Sequence, residues 1–141
     1  MNFVRCHESF EIPRLGVLPP RAYYIPFPEV SAPDTPRENS PQLHLLSGEW
    51  DFAYYRTFES FLAGFEQNRL DFSRKIRVPG CWQTELLNDP EIDKPNYVNV
   101  KYPFPFDPPF VPEENPIGVY SREFDLSDIS GKNYCQPVTN V

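Results

Sequence analysis

Sulfur, glycine and histidine are all scarce in this 141-residue chain: three cysteines, one methionine, six glycines and two histidines. Cys6, Cys81 and Cys135 are odd in number, widely spaced and without a Cys-x-x-Cys pair, which argues against a disulfide framework and a cysteine-rich zinc site. His7 and His44 stand far apart, with no evident carboxylate company for a metal. Apolar runs are short. None approaches the about 18 residues a membrane helix needs, and the N-terminal MNFVRCHESFEIPRL lacks the apolar core of a signal peptide. A reducing, cytoplasmic location is the expectation. Positive charge is also thin: 13 Lys and Arg face 20 Asp and Glu, for a net charge of −7. The basic residues are scattered, with only Arg74-Lys75 adjacent, so neither a nucleic acid nor an anionic membrane is expected as a partner.

Proline is what the chain has in excess: 18 in 141 residues, against a usual share of about 5%. Proline fixes φ and carries no amide donor, which excludes a helix bundle or coiled coil. Without glycine at every third position, collagen is excluded as well. Aromatic residues make up 16% and hydrophobic residues 40%, too much for a compositionally disordered chain. A loop-rich, mostly β, aromatic-heavy protein is left.

Residues 1–42 read as an extended N-terminal arm and linker, because eight prolines from Pro13 to Pro41 interrupt every potential helix. Within it, Arg21 to Phe27 is apolar enough to dock on another domain or subunit. From Ser47-Gly48, a turn signal, the pattern changes. Trp50, Phe52 and Tyr54 alternate with Asp51, Ala53 and Tyr55, the period of a strand with one aromatic face. Thr57 can cap a helix whose Phe58, Phe61, Leu62 and Phe65 share one side. Residues 75–78 alternate again and stop at Pro79-Gly80, and 97–102 gives a further short extended piece. The prolines from Pro103 to Pro112 impose a long ordered loop, its phenylalanines packed on a neighbour. Residues 119–126 alternate once more, with Tyr120, Phe124 and Leu126 on one side. Short antiparallel strands with long connections point to part of a β-sandwich, with too few strands to close it.

Three segments are recognisable. Leu46-Ser47-Gly48-Glu49-Trp50-Asp51-Phe52 resembles the LNGxWxF opening of the sugar-binding domain of glycoside hydrolase family 2. Val78-Pro79-Gly80-Cys81-Trp82-Gln83 resembles its VPxxWQ segment. Asp93 to Pro103, continued through Pro108 to Pro112 and Asn115 to Tyr120, is similar to the signature DxPxYTNVxYP…PPxVPxxNPxGxY of the large bacterial β-galactosidases. The resemblance covers about residues 43–126 and implies a jelly-roll-like, galactose-binding-like β-sandwich ahead of further β domains and a catalytic barrel. It implies that the complete protein hydrolyses terminal non-reducing β-D-galactose residues. Beyond Leu126 the likeness weakens, and residues 127–141 read as a divergent tail. The sandwich is therefore expected to be incomplete here, through truncation, a frameshift or excision, and the chain inactive alone. Its expected partners are the remaining enzyme domains or subunits and, with them, a β-galactoside. A freestanding carbohydrate-binding module, or a protein that docks on a complementary enzyme fragment, are the other readings.

Glycoside hydrolysis needs two carboxyl groups about 5–5.5 Å apart in retaining enzymes. In the family the resemblance names, both belong to the barrel. The acidic residues Glu113-Glu114 and Glu91/Asp93 fall in proline-rich loops here and read as solvated charges, so no catalytic residue is expected. Asn99 matches the asparagine of YTNV, which the resemblance places against the galactosyl hydroxyls in the intact enzyme. Its carboxamide both donates and accepts, as a sugar hydroxyl does. The preceding threonine is Val98 here, so no contact from that neighbour is carried over. Trp50 and Tyr120 read as core, and Trp82 and Tyr97 as structural more than sugar-stacking. Members of the family commonly use Mg²⁺ and a monovalent cation, whose ligands the resemblance places mostly in the barrel. No cofactor and no metal ligand is expected in this chain.

Overall fold

A computed structural model describes residues 8–10, 19, 22, 24–96, 99 and 104–125. Among the described residues, three strands, β1 (Gly48–Tyr55), β2 (Arg74–Val78) and β3 (Ile117–Ser121), form one antiparallel sheet in the order β2-β1-β3. Two helices, α1 (Phe58–Glu66) and α2 (Trp82–Glu85), join them, and a 3₁₀ turn covers Arg37–Asn39. The described part is thus mostly β with few helices. Of the segment read as an extended arm, residues 1–7, 11–18, 20, 21 and 23 lie outside the described residues, as do Tyr97, Val98, residues 100–103 and the tail from residue 126.

The aromatic alternation in β1 builds the core. Trp50 faces Ile76 of β2, and Phe52 faces Tyr120 of β3, so one face of the sheet collects all four side chains. Phe52 is fully buried, and Ile76 and Ile92 are nearly so, with Trp50, Tyr54, Val78, Trp82, Leu86 and Tyr120 packed against them. The rings meet tilted, Phe52–Tyr120 at 4.9 Å and Phe52–Trp82 at 6.1 Å between centroids. Gly118 makes this closeness possible. A Cβ there would lie 2.8 Å from the Phe52 ring and 2.9 Å from Trp82. The opposite face carries Ala53 and Tyr55 beside Val119 and Ile117, and α1 meets it through Phe61, edge-on to Tyr55 at 5.8 Å.

Local chemistry sets the ends of these elements. Thr57 caps α1 as expected: its hydroxyl accepts from the Ser60 amide at 3.2 Å, and Ser60 Oγ accepts from the Thr57 amide in return. Gly48 enters β1 at φ +133°, a conformation L side chains rarely adopt. Around it, Arg122 Nη1 donates to the carbonyls of Leu46 and Ser47, both at 2.7 Å, and Trp50 Nε1 donates to Leu46 as well.

That Arg122 clasp corrects the expectation for residues 119–126. The strand begins earlier, at Ile117, and ends at Ser121. Arg122 turns away from the ladder to reach the Leu46–Ser47 turn, and exposed Phe124 lies against the His44 ring at 5.6 Å rather than in the core. The polar stretch of residues 29–41 also has local organisation. Ser40 is buried, donating its hydroxyl to the Pro26 carbonyl and accepting from the Gln42 amide.

Candidate functional site

Asn99 is exposed, at a bend beyond the loop that leaves α2. The base of this loop is held by polar contacts from three elements. From β2, Arg74 donates to Asp89 at 2.7 Å and also pairs with Glu91. The guanidinium holds the Asp89 carboxyl below the usual carboxylate range, first through that hydrogen bond, and Asp89 in turn raises the Arg74 pKa. Lys94 folds back to donate to the carbonyls of Leu87 and Asp89. Pro95 restricts Lys94 to extended backbone, so the chain leaves this point in a defined direction.

Asp93 is the centre of the arrangement. Its Oδ1 accepts from Trp82 Nε1 at 2.8 Å and from the Tyr54 hydroxyl at 3.1 Å, and its Oδ2 accepts from Gln83 Nε2 at 2.9 Å. Its amide also lies within hydrogen-bond reach of Tyr54 Oη, at 3.3 Å. Three side-chain donors from β1 and α2 thus converge on one half-buried carboxylate, two on one oxygen and one on the other. Burial pushes the Tyr54 hydroxyl pKa up, as it does that of Tyr120.

Reading Asp93 as a solvated loop charge is therefore wrong, whereas Glu91, Glu113 and Glu114 are exposed as expected. Glu91 is exposed but paired with Arg74, and Asp93 is the acceptor that satisfies the polar tips of core aromatics. The signal was available. Tyr54 and Trp82 each carry a hydrogen-bonding group at the end of an apolar ring, and such groups need partners when they pack in a core. What hid it was sequence distance: Asp93 is 39 residues from Tyr54. Trp50, Trp82 and Tyr120 are packed against the core, in agreement with their structural reading. Tyr97 and Val98 lie outside the described residues.

Among the described residues, other charged groups are engaged in ion pairs. Asp89 and Glu91 are engaged by one arginine. Among the described residues no three His, Cys, Asp or Glu side chains come together as a donor set. A groove beside Gly48, Glu49, Lys75 and Glu85 is wide open to solvent and lined by charged side chains. No helix among the described residues is long and apolar enough to cross a membrane.

Sheet, polar node and exposed loop define a small β domain with an exposed loop residue beyond a hydrogen-bonded base. Residues 43–136 match the family described as glycosyl hydrolases family 2, sugar binding domain. The chain belongs to this family. It is 36% identical to a β-galactosidase of Staphylococcus xylosus over 125 residues, 86% of this chain and 12% of the relative. It is 40% identical to a β-galactosidase of Actinobacillus pleuropneumoniae over 107 residues, 75% of this chain and 10% of the relative. Against a β-galactosidase of Aeromonas hydrophila, identity is 43% over 90 residues, 62% of this chain and 9% of the relative. The chain therefore spans about a tenth of the length of these curated relatives. No solved structure matches it.

Proposed function

We propose that this chain forms the sugar-binding-domain part of a cytoplasmic β-galactosidase that releases terminal non-reducing β-D-galactose. In this reading its contribution to the substrate is Asn99, whose carboxamide hydrogen-bonds a galactosyl hydroxyl, while the acid and nucleophile carboxylates come from other domains. Further strands complete the three-stranded sheet into a jelly-roll-like sandwich. The proline-rich arm and the loop around Phe104–Phe110 dock on those other domains. Mg²⁺ and a monovalent cation, where the complete enzyme uses them, are bound outside this chain.

The observation that carries the reading is the braced base of the Asn99 loop, Asp93 on Tyr54, Trp82 and Gln83, within the matched family region. A sugar-contacting side chain on a loop needs such a base to be held in a productive position. The test is hydrolysis of a chromogenic β-galactoside by the purified chain alone and with the remaining domains of a family 2 β-galactosidase. The chain alone is expected to be inactive, and the combination active only with Asn99 intact. Turnover by the repurified chain alone would overturn the reading. Calorimetric binding of galactose to the chain alone, at sub-millimolar strength, would favour a freestanding carbohydrate-binding module instead.

A further inference from the structure

We infer that Asp93 is a positioning residue for Asn99: its carboxylate fixes where the loop leaves the sheet, and so where the Asn99 carboxamide is presented. The inference rests on the sugar-contact reading of Asn99 for its functional meaning.

The geometry is that of a clamp rather than of a chance surface contact. The two carboxylate oxygens are spoken for by three donors, at 2.8, 2.9 and 3.1 Å. Two of the donors, Tyr54 and Trp82, are packed on the Phe52–Ile76–Ile92 core, so their tips have little freedom to follow a moving loop. Tyr54 Oη also sits 3.3 Å from the Asp93 amide, so main chain and side chain of the same residue are both engaged. Hydrogen bonds to an ionised acceptor are roughly twice as strong as neutral ones. Immediately downstream, Lys94 is tied to two carbonyls and Pro95 stiffens the exit. Asn99 lies six residues along from Asp93, close enough in the chain for an error at the clamp to reach its side chain.

Backbone order measured by NMR relaxation on the 141-residue chain tests this directly. In the wild type the Asn99 amide should have an order parameter near the rigid value of about 0.85, and Asp93→Ala should drop it below about 0.6. The β1 amides and the Trp50 indole should keep their order in that variant. Asp93→Asn, which retains an acceptor for Trp82 and Tyr54, should restore most of the Asn99 order. Arg74→Met, which frees the upstream ties at Asp89 and Glu91 but leaves the clamp, should leave Asn99 unchanged. If Asp93→Ala fails to fold, Gln83→Ala removes one donor and should lower Asn99 order by a smaller step. An Asn99 already mobile in the wild type, unaltered by Asp93→Ala or Gln83→Ala, or loosened equally by Arg74→Met, would overturn the inference. The measurement involves no sugar. Its failure would leave the sugar contact of Asn99 standing, whereas full galactosidase activity of an Asn99→Ala enzyme would defeat that contact and leave the clamp intact.

Discussion

The connection between β2 and β3 has two halves of opposite character. Residues 86–96 are tied to the sheet by side chains of the same chain: Arg74 on Asp89 and Glu91, and Tyr54, Trp82 and Gln83 on Asp93. Residues 104–112 carry four prolines and three phenylalanines, and Phe106 and Phe110 are 91% and 63% exposed. The first half spends its polar groups on internal satisfaction. The second offers apolar rings to water. Internal polar ties and exposed apolar rings thus sit side by side in one connection, and each half answers differently to mutation.

Phe52→Ala should have the largest effect. Phe52 is fully buried at the centre of the cluster that seats Trp82 and Tyr120, and removing a ring from such a site costs about 3–5 kcal/mol. Chemical denaturation should show it as a lower midpoint. Because the clamp donors stand on that core, the first half of the connection should become protease-sensitive in this variant. The comparison would break if the first half stayed resistant while the sheet melted.

Arg74→Met comes next, and pH sharpens it. The Asp89 carboxyl has its pKa lowered from the ordinary 3.8 by Arg74. A depressed carboxylate pKa contributes stability above the unfolded value, and that stability is lost as pH falls through the folded value. Melting temperature should therefore be lower in Arg74→Met at neutral pH, with the difference shrinking below about pH 4. At the alkaline end the sign reverses for Tyr54 and Tyr120. Burial raises their pKa values, so their stabilising influence is present below about pH 10 and lost above it. Absorbance titration of Tyr54→Phe and of Tyr120→Phe should each show a late-ionising tyrosine missing. A constant difference between wild type and Arg74→Met down to pH 2.5 would remove the Arg74–Asp89 pair from the account.

Lys75→Gln should do much less, although its pair with Asp51 is as short, 2.6 Å against 2.7 Å. The side chains of Lys75 and Asp51 are 58% and 42% exposed, those of Arg74 and Asp89 only 17% and 24%. Solvent and salt screen the first pair, and exposed pairs contribute little. The expected result is a melting temperature indistinguishable from wild type in 0.15 M salt. A loss equal to that of Arg74→Met would mean that separation, not exposure, decides the strength of these ties.

Much of the scaffold was legible because it is local. The period-two run Trp50–Phe52–Tyr54 gives β1, and Thr57 with Phe58, Phe61, Leu62 and Phe65 gives α1 with its cap. The misses are long-range. The end of β3 at Ser121 depends on Arg122 finding carbonyls 75 and 76 residues away. The brief helix α2 has no periodic signal in four residues, and Gly118 shows its purpose only once Trp82 is laid across it. For the candidate site, Asn99 is singled out by a motif, while Asp93 was passed over because its three partners come from two other elements.

The last comparison needs no loss of stability at all. Phe106→Ser combined with Phe110→Ser removes exposed rings from the second half of the connection. Burial gains nothing from rings already in water, so the melting temperature should not fall. What should change is association. Exposed apolar side chains drive self-association and docking alike, so the double variant should stay monomeric at concentrations where the wild type does not. Under the proposed function it should also lose affinity for the other domains of a family 2 β-galactosidase, read by sedimentation or by recovery of galactosidase activity. A melting temperature that drops by as much as in Arg74→Met would show that these rings already serve the chain's own core. The two halves of the connection would then be held by the same means, and the contrast between them would vanish.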